Sequence, residues 1–227
     1  MFHSYQILYY SLRVNTDICL HPFLFRKLFI PLHANITVMS KYNVEIKGVQ
    51  PLIEHSINGM IAANENKAAN RKIKSSEYDP ASDARIALYH CADGKIGVPS
   101  FAILSCMRKA ASQLKKKGSG KKTLKDFVFS GLRITPEMIE LTPQEYEVHI
   151  RAVVIQRSRI LRGFPLFKDW SIKFEIENID EQTWDGGSIR EVLSEAGKYN
   201  GLLEFRPLYG TFEVVSFIDA NTGKEVK

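Results

Sequence analysis

The chain has 227 residues, 44% hydrophobic and 25% charged, with a formal charge of +6. These are globular values. They exclude a disordered tail protein and leave room for one large domain or two small ones. The three cysteines, Cys19, Cys91 and Cys106, are odd in number and match no zinc or redox spacing, so free thiols in a reducing, cytoplasmic setting are expected.

Residues 1–38 differ from the rest, being rich in aromatics and leucine. Arg13 is the first charge, and Asp17, Pro22, Arg26, Lys27 and Pro31 break any long apolar run. That pattern fits neither a signal peptide nor the ~20 apolar residues of a membrane span, so no membrane partner is expected. Met39 reads as the natural start. Residues 1–38 then read as upstream sequence or a poorly structured extension, with an amphipathic docking arm as the alternative.

Residues 42–49 alternate apolar and polar, as a half-buried strand does. Residues 50–98 form a long excursion whose middle, 64–82, has loop composition. A short helix over 83–89, capped by Ser82, is expected within it. Residues 100–117 carry Ile103, Leu104, Met107, Ala110, Ala111 and Leu114 at helical spacing, and glycines at 118 and 120 end that helix. Thr123 caps a second short helix over 124–130. Residues 146–156 and 170–179 read as strands, joined by an arginine-rich extended hairpin. In the second, Trp170, Ile172, Phe174 and Ile176 share one face. Ser188 and Glu191 have capping-box spacing for a helix that stops at Gly197. A glycine-punctuated loop, 197–210, precedes the last strand, 211–218.

Charge is concentrated. Residues 108–125, RKAASQLKKKGSGKKTLK, contain no acid, and neither do residues 151–168. Clustered cations attract polyanions, phosphate backbones above all. Lys115, Lys116, Lys117, Lys121 and Lys122 flank a glycine turn suited to gripping phosphate. Arg157, Arg159 and Arg162 offer planar forks for phosphate and stacking surfaces for bases. Phe164 and Phe167 flank them as wedges or as core. Arg206 sits in the glycine loop, where the backbone can approach a phosphate closely.

The rival chemistries are weaker. Gly118, Gly120 and Lys121 hint at a P-loop, but Lys115 and Lys122 stand where Gly and Ser or Thr are needed, and a helix precedes the loop. His90 and His149 serve acid–base chemistry only if they meet in space, and His55 adjoins Glu54 without a partner motif. Asp79, Asp83 and Asp93 suit a metal-dependent nuclease or, more commonly, caps and turns. No cofactor and no metal site is expected.

The order strand, insertion, helix, strand, strand, helix, strand is that of a βαββαβ ferredoxin-like (RRM-like) α+β palm, spanning 39–227 with an insertion at 50–98. The insertion and the glycine-rich loop before the final strand resemble the RAMP superfamily, most of all the backbone subunits that line guide RNA in CRISPR effector complexes. QRSRILRGFPLFKD, residues 156–169, is similar to that family's thumb hairpin, and residues 197–210 to its glycine-rich loop. QRSRILRGFPLFKDW and EFRPLYGTFEV also resemble proteins of phages and mobile elements. The resemblance implies a protein that binds single-stranded RNA or DNA, RNA by preference, as a homo-oligomer or within a multi-subunit ribonucleoprotein. A RAMP-type endoribonuclease and a phage structural or assembly protein are the alternatives. The chain lacks the aromatic octapeptide of single RNA-recognition modules, so base stacking on the sheet is not expected.

Overall fold

The computed structural model describes residues 39–227 except 59, 60, 62–78, 117, 119, 156, 157 and 227. The expected N-terminal extension, residues 1–38, and most of the polar middle of the insertion lie outside the described residues.

In chain order the strands are β1 (Ser40–Gly48), β2 (Leu52–Ile53), β3 (Gly97–Pro99), β4 (Leu132–Thr135), β5 (Met138–Thr142), β6 (Glu147–Ile155), β7 (Ser158–Phe167), β8 (Ser171–Asn178) and β9 (Phe212–Asp219). The helices are α1 (Pro80–Ile86), α2 (Ser100–Ala111), α3 (Val128–Gly131) and α4 (Gly186–Glu195). A 3₁₀ turn, Leu124–Phe127, leads into α3, and a π-helical turn, Ala196–Asn200, extends α4.

The class is mixed α+β, with antiparallel sheets. β1 lies between β8 and β9, and β4 and β5 share the far edge of β8, with β3 beyond β5. Alternation drives this sheet: Tyr42, Val44, Ile46, Ile172, Phe174 and Ile176 are buried on one face. The helices α2 and α4 cover that face with Ile103, Met107, Ala110, Ile189, Val192 and Leu193. Each such burial contributes about 2 kcal/mol against the conformational entropy lost. A second sheet is the hairpin β6–β7 with the short β2 on its edge.

The registers give the main sheet two distinct ends. Ser40 pairs with Asn178, Leu132 also pairs with Asn178, and Tyr42 pairs with Asp219 at one end. Lys47 pairs with Ser171, Thr142 also pairs with Ser171, and Gly48 pairs with Phe212 at the other. The length of β8, Ser171–Asn178, separates them by roughly 23 Å.

Several expected elements shift. The strand expected at 146–156 is not in the main sheet: it is β6, one arm of the hairpin. β4 and β5 take the place beside β8. Both are short and lie next to prolines, so their alternation is too brief to see. The helix expected at 100–117 ends at Ala111, because Lys115 bridges back to Thr123 in a β-turn-like closure. The insertion helix starts earlier than expected. Asp79, not Ser82, caps it by accepting from the Ala81 amide, and Pro80 suits the first turn. Thr123 makes no side-chain cap. For α4 the cap is Asp185, which accepts from the Ser188 amide while the Ser188 hydroxyl accepts from the Asp185 amide. Gly197 does not stop α4. A Cβ there would lie 2.3 Å from the Phe212 carbonyl, so that glycine serves close packing on β9. The chain turns instead at Gly201, whose φ is 71°.

Candidate nucleic-acid interface

The lysine loop sits at the first end of the sheet. It leaves α2, turns, and returns through the Lys115–Thr123 bridge and the bond from the Leu124 amide to the Leu114 carbonyl. The Lys116 ammonium donates to Thr183 Oγ1 at 2.9 Å and lies 3.9 Å from the centre of the Phe127 ring. It is therefore held in place. Lys115, Lys121 and Lys122 are exposed, and Lys117 lies outside the described residues. Between this loop and the start of α4 is a cleft of about 420 Å³, where Lys115 and Lys116 face Glu181, Asp185 and Glu191.

Every ion pair among the described residues uses a cation from elsewhere: Lys41, Lys95, Arg133, Arg162, Lys168 or Lys173. Arg108, Lys109, Lys115, Lys116, Lys121, Lys122 and Lys125 form none with the described residues. The surface from the last turn of α2 to the 3₁₀ turn is thus predominantly positive, with Asp126 within it and Glu181, Asp185 and Glu191 across the cleft from Lys115 and Lys116.

The arginines sit at the other end, and the hairpin separates them. Residues paired directly across two strands share a face. Arg159 pairs with Val154, on the face that also shows Val148, Ile150 and Leu161 to solvent. Arg162 pairs with Arg151 on the opposite face. There the Arg162 guanidinium meets the Asp83 carboxylate of α1 at 3.2 Å. Arg151 lies 4.4 Å from the Phe205 ring centre and 5.6 Å from that of Tyr209. Two opposed cations are thus tolerated, one through a carboxylate and the other through aromatic faces. Arg157 lies outside the described residues. Phe164 and Phe167 are core residues, at 4% and 1% exposure.

The glycine loop packs on the hairpin. Gly201 and Gly210 both have positive φ, and a Cβ on Gly210 would lie 2.1 Å from the Leu202 carbonyl. The Leu202 amide donates to Gly210, the Gly210 amide to Pro51, and the Glu204 amide to Ile53. These glycines therefore close a loop over β2, and Leu203 and Phe205 take left-handed φ of 56° inside it. Phe205 and Tyr209 join the small cluster of Ile53, Phe164 and Leu166. Arg206 stands exposed at the tip. The loop is also tied to α2 by Cys106, whose buried thiol donates to the carbonyls of Ala196 and Gly201 and is pushed up to about 12 by burial.

The face of the main sheet opposite the helices is an ionic lattice. Lys41 bridges Glu175 and Glu177, Arg133 reaches Glu177, and Lys173 reaches Glu45. The Lys41 ammonium is held above its ordinary value by hydrogen bonds to Glu177 and then Glu175. Lys41, Arg133 and Lys173 are spent on carboxylates while Lys47 forms no ion pair among the described residues, and aromatic stacking residues are absent from the described positions of β1, β4 and β8 that point this way.

The acid–base and metal candidates have structural work. His90 Nδ1 faces the Gly94 carbonyl at 3.2 Å in a turn. His149 packs on Tyr209, and His55 stands edge-on to Phe164. Asp79 caps α1, Asp83 holds Arg162, and Asp93 binds the Lys95 amide. Among the described residues no three His, Cys, Asp or Glu side chains converge as a metal site would require. Glu54 is fully buried at the root of the hairpin, and burial pushes its carboxyl up to about 8, opposed by the Tyr89 amide that donates to it.

The outer side of α2 carries an exposed aromatic, Phe101, that stacks on Phe129 of α3. The residues are 28 positions apart, so no local pattern joins them.

No family model and no curated protein matches this chain. Among solved structures, a similar chain belongs to the Type III-B Cmr-beta complex bound to cognate target RNA, with 12% identity and a TM-score of 0.45. The match covers 80% of this chain and 60% of that one, so this chain spans less than two thirds of its length. No described helix is long and apolar enough to cross a membrane.

Proposed function

We propose that the chain binds single-stranded nucleic acid along its phosphate backbone, RNA in preference to DNA, on a ferredoxin-like, RAMP-type palm. One observation carries the reading: Arg108, Lys109, Lys115, Lys121, Lys122 and Lys125 occupy one stretch of surface and none has a carboxylate partner among the described residues. Cations left unpaired keep their field for an external polyanion. The palm assignment is supported by the strand order β9–β1–β8–β4, with α2 after β1 and α4 after β8. The hairpin β6–β7 is the thumb in this reading. The preference for RNA rests on the resemblance of the element order alone.

Lys115, Lys121 and Lys122 are the primary phosphate contacts, and Lys116 is a support held by Thr183 and Phe127. Arg159 and Arg206 are secondary contacts at the far end. Fluorescence anisotropy with labelled single-stranded RNA, single-stranded DNA and duplex DNA across a salt series tests this. Binding should prefer single strands and weaken steeply with salt. Absence of binding to every probe at low salt would sink it.

A second reading, assembly into a larger particle, is favoured by the apolar outer face of the hairpin. Val148, Ile150, Val154 and Leu161 are exposed together there. Contiguous apolar surface of this kind suits contact with another protein, a second copy on the same strand included. Sedimentation at high salt without nucleic acid tests it: oligomers that persist, and that Ile150→Asp disperses, support assembly through this face.

A further inference from the structure

We propose that the outer side of α2 holds a nucleobase-stacking subsite, built from Phe101 and Phe129 and ringed by Arg108, Lys109 and Lys125. It deepens the nucleic-acid reading and rests on it. The residues of α2 fall on two stripes. Ile103, Met107 and Ala110 face the core. Phe101, Ser105, Arg108 and Ser112 recur at intervals of three and four on the opposite side, where they line a cleft of about 350 Å³.

Phe101 is 65% exposed and Phe129 44%, an unusual state for two large aromatics. Their rings stack at 5.6 Å between centres and 27° between planes. The Arg108 guanidinium lies 5.1 Å from the Phe129 ring centre. Lys109 and Lys125 complete the rim, and no carboxylate lines the cleft. None of the three cations has an ion-pair partner among the described residues.

The chemistry selects the ligand. A base can stack on the open face of Phe101 while its flanking phosphates meet Arg108, Lys109 and Lys125; Ser105 offers a hydroxyl to its edge, and Ser112, whose proton goes to the Lys109 carbonyl, offers an acceptor. An acidic peptide would use the cations and leave the aromatic faces wet. Arg108, Lys109 and Ser112 on the cleft's lining stand where the chain leaves α2 for the lysine loop, so one strand is expected to engage both. Stacking is moved from the sheet, whose open face is an ionic lattice, to the back of a helix.

The test compares oligouridylate with an abasic ribose-phosphate strand of equal length, which keeps the charge and removes the rings. Wild-type protein should bind the base-bearing strand about tenfold more tightly. The Phe101→Leu, Phe129→Leu double variant should lose that preference and keep the same salt dependence. Both rings are exposed, so the fold should survive, and a near-native circular dichroism spectrum checks this. Phe101→Trp should retain the preference and show fluorescence quenching on adding oligouridylate. Equal wild-type affinity for the two strands overturns the subsite and leaves the backbone reading standing. So does a preference unchanged in the leucine variant. Binding of neither strand overturns both readings. Polyglutamate binding that depends on Phe101 as strongly as oligouridylate binding does would assign the cleft to acidic peptides instead.

Discussion

The two ends of the main sheet are built on opposite principles. At the lysine end the chain closes a short turn and leaves most of its cations exposed and outside any ion pair among the described residues, with Glu181, Asp185 and Glu191 across the cleft from Lys115 and Lys116. At the hairpin end polar groups are packed inward: Arg162 against Asp83, Arg151 against two aromatic rings, Glu54 fully buried, and Leu203 and Phe205 in left-handed backbone. Arg151 and Arg162 there are already in use by the fold, whereas Lys115, Lys121 and Lys122 at the other end are exposed to a ligand. Positive charge in the sequence is therefore not equivalent to positive charge presented.

The contrast is sharpest in its pH dependence. Folded Glu54 keeps its proton up to about pH 8, while the unfolded chain releases it near the ordinary carboxyl value of 4.5. The folded state binds more protons in that window, so stability is complete below it and declines as pH rises from about 4.5 to 8. The loss should reach roughly 3–5 kcal/mol. Urea titrations from pH 5 to 8 should show it, and Glu54→Gln should flatten the profile. A wild-type profile already flat would refute the burial argument.

Next in size is the seam between α1 and the hairpin. A Cβ on Gly163 would lie 2.1 Å from the Pro80 carbonyl. Gly163→Val should destabilise by about 3 kcal/mol, with the first loss of amide protection in β7 and α1. At the lysine end the corresponding change should leave stability alone. Replacing Lys115, Lys121 and Lys122 with Ala should weaken single-strand RNA binding about 100-fold at moderate salt and lower the salt slope, with an unchanged melting temperature. Arg159→Ala with Arg206→Ala should cost clearly less. A reversal of that order would move the primary interface to the hairpin.

The smallest effect separates a structural arginine from a binding one. Arg162→Ala should reduce stability by about 1 kcal/mol, and a double-mutant cycle with Asp83→Ala should recover most of that as coupling. RNA affinity should stay within twofold or so of wild type. A large loss of affinity with no coupling to Asp83 would return Arg162 to the interface.

Much of the α+β core was legible in the sequence. β1 and β8 alternate over nine and eight residues, and α2 keeps its apolar stripe. β4 and β5 were not, because LRIT and MIELT are too brief for a period to emerge, and the longer alternation of β6 was taken for theirs. Of the candidate site, the lysine cluster was visible as charge. The pairing of Arg162 was invisible because Asp83 lies 79 positions earlier. The Phe101–Phe129 pair was invisible for the same reason: each ring looks like an ordinary core residue until the helices are docked.

The excursion after β1 has a further consequence. Its two ends are clasped: the Ser56 amide donates to the Ala87 carbonyl and the Ser56 hydroxyl to that of Ile86. A loop whose feet are already joined changes length cheaply, at about 0.6 kcal/mol per doubling. A change of length between Ser56 and Asp79 is thus expected to leave the strand pairing of the sheet intact, so that a short linker or tag can be spliced there.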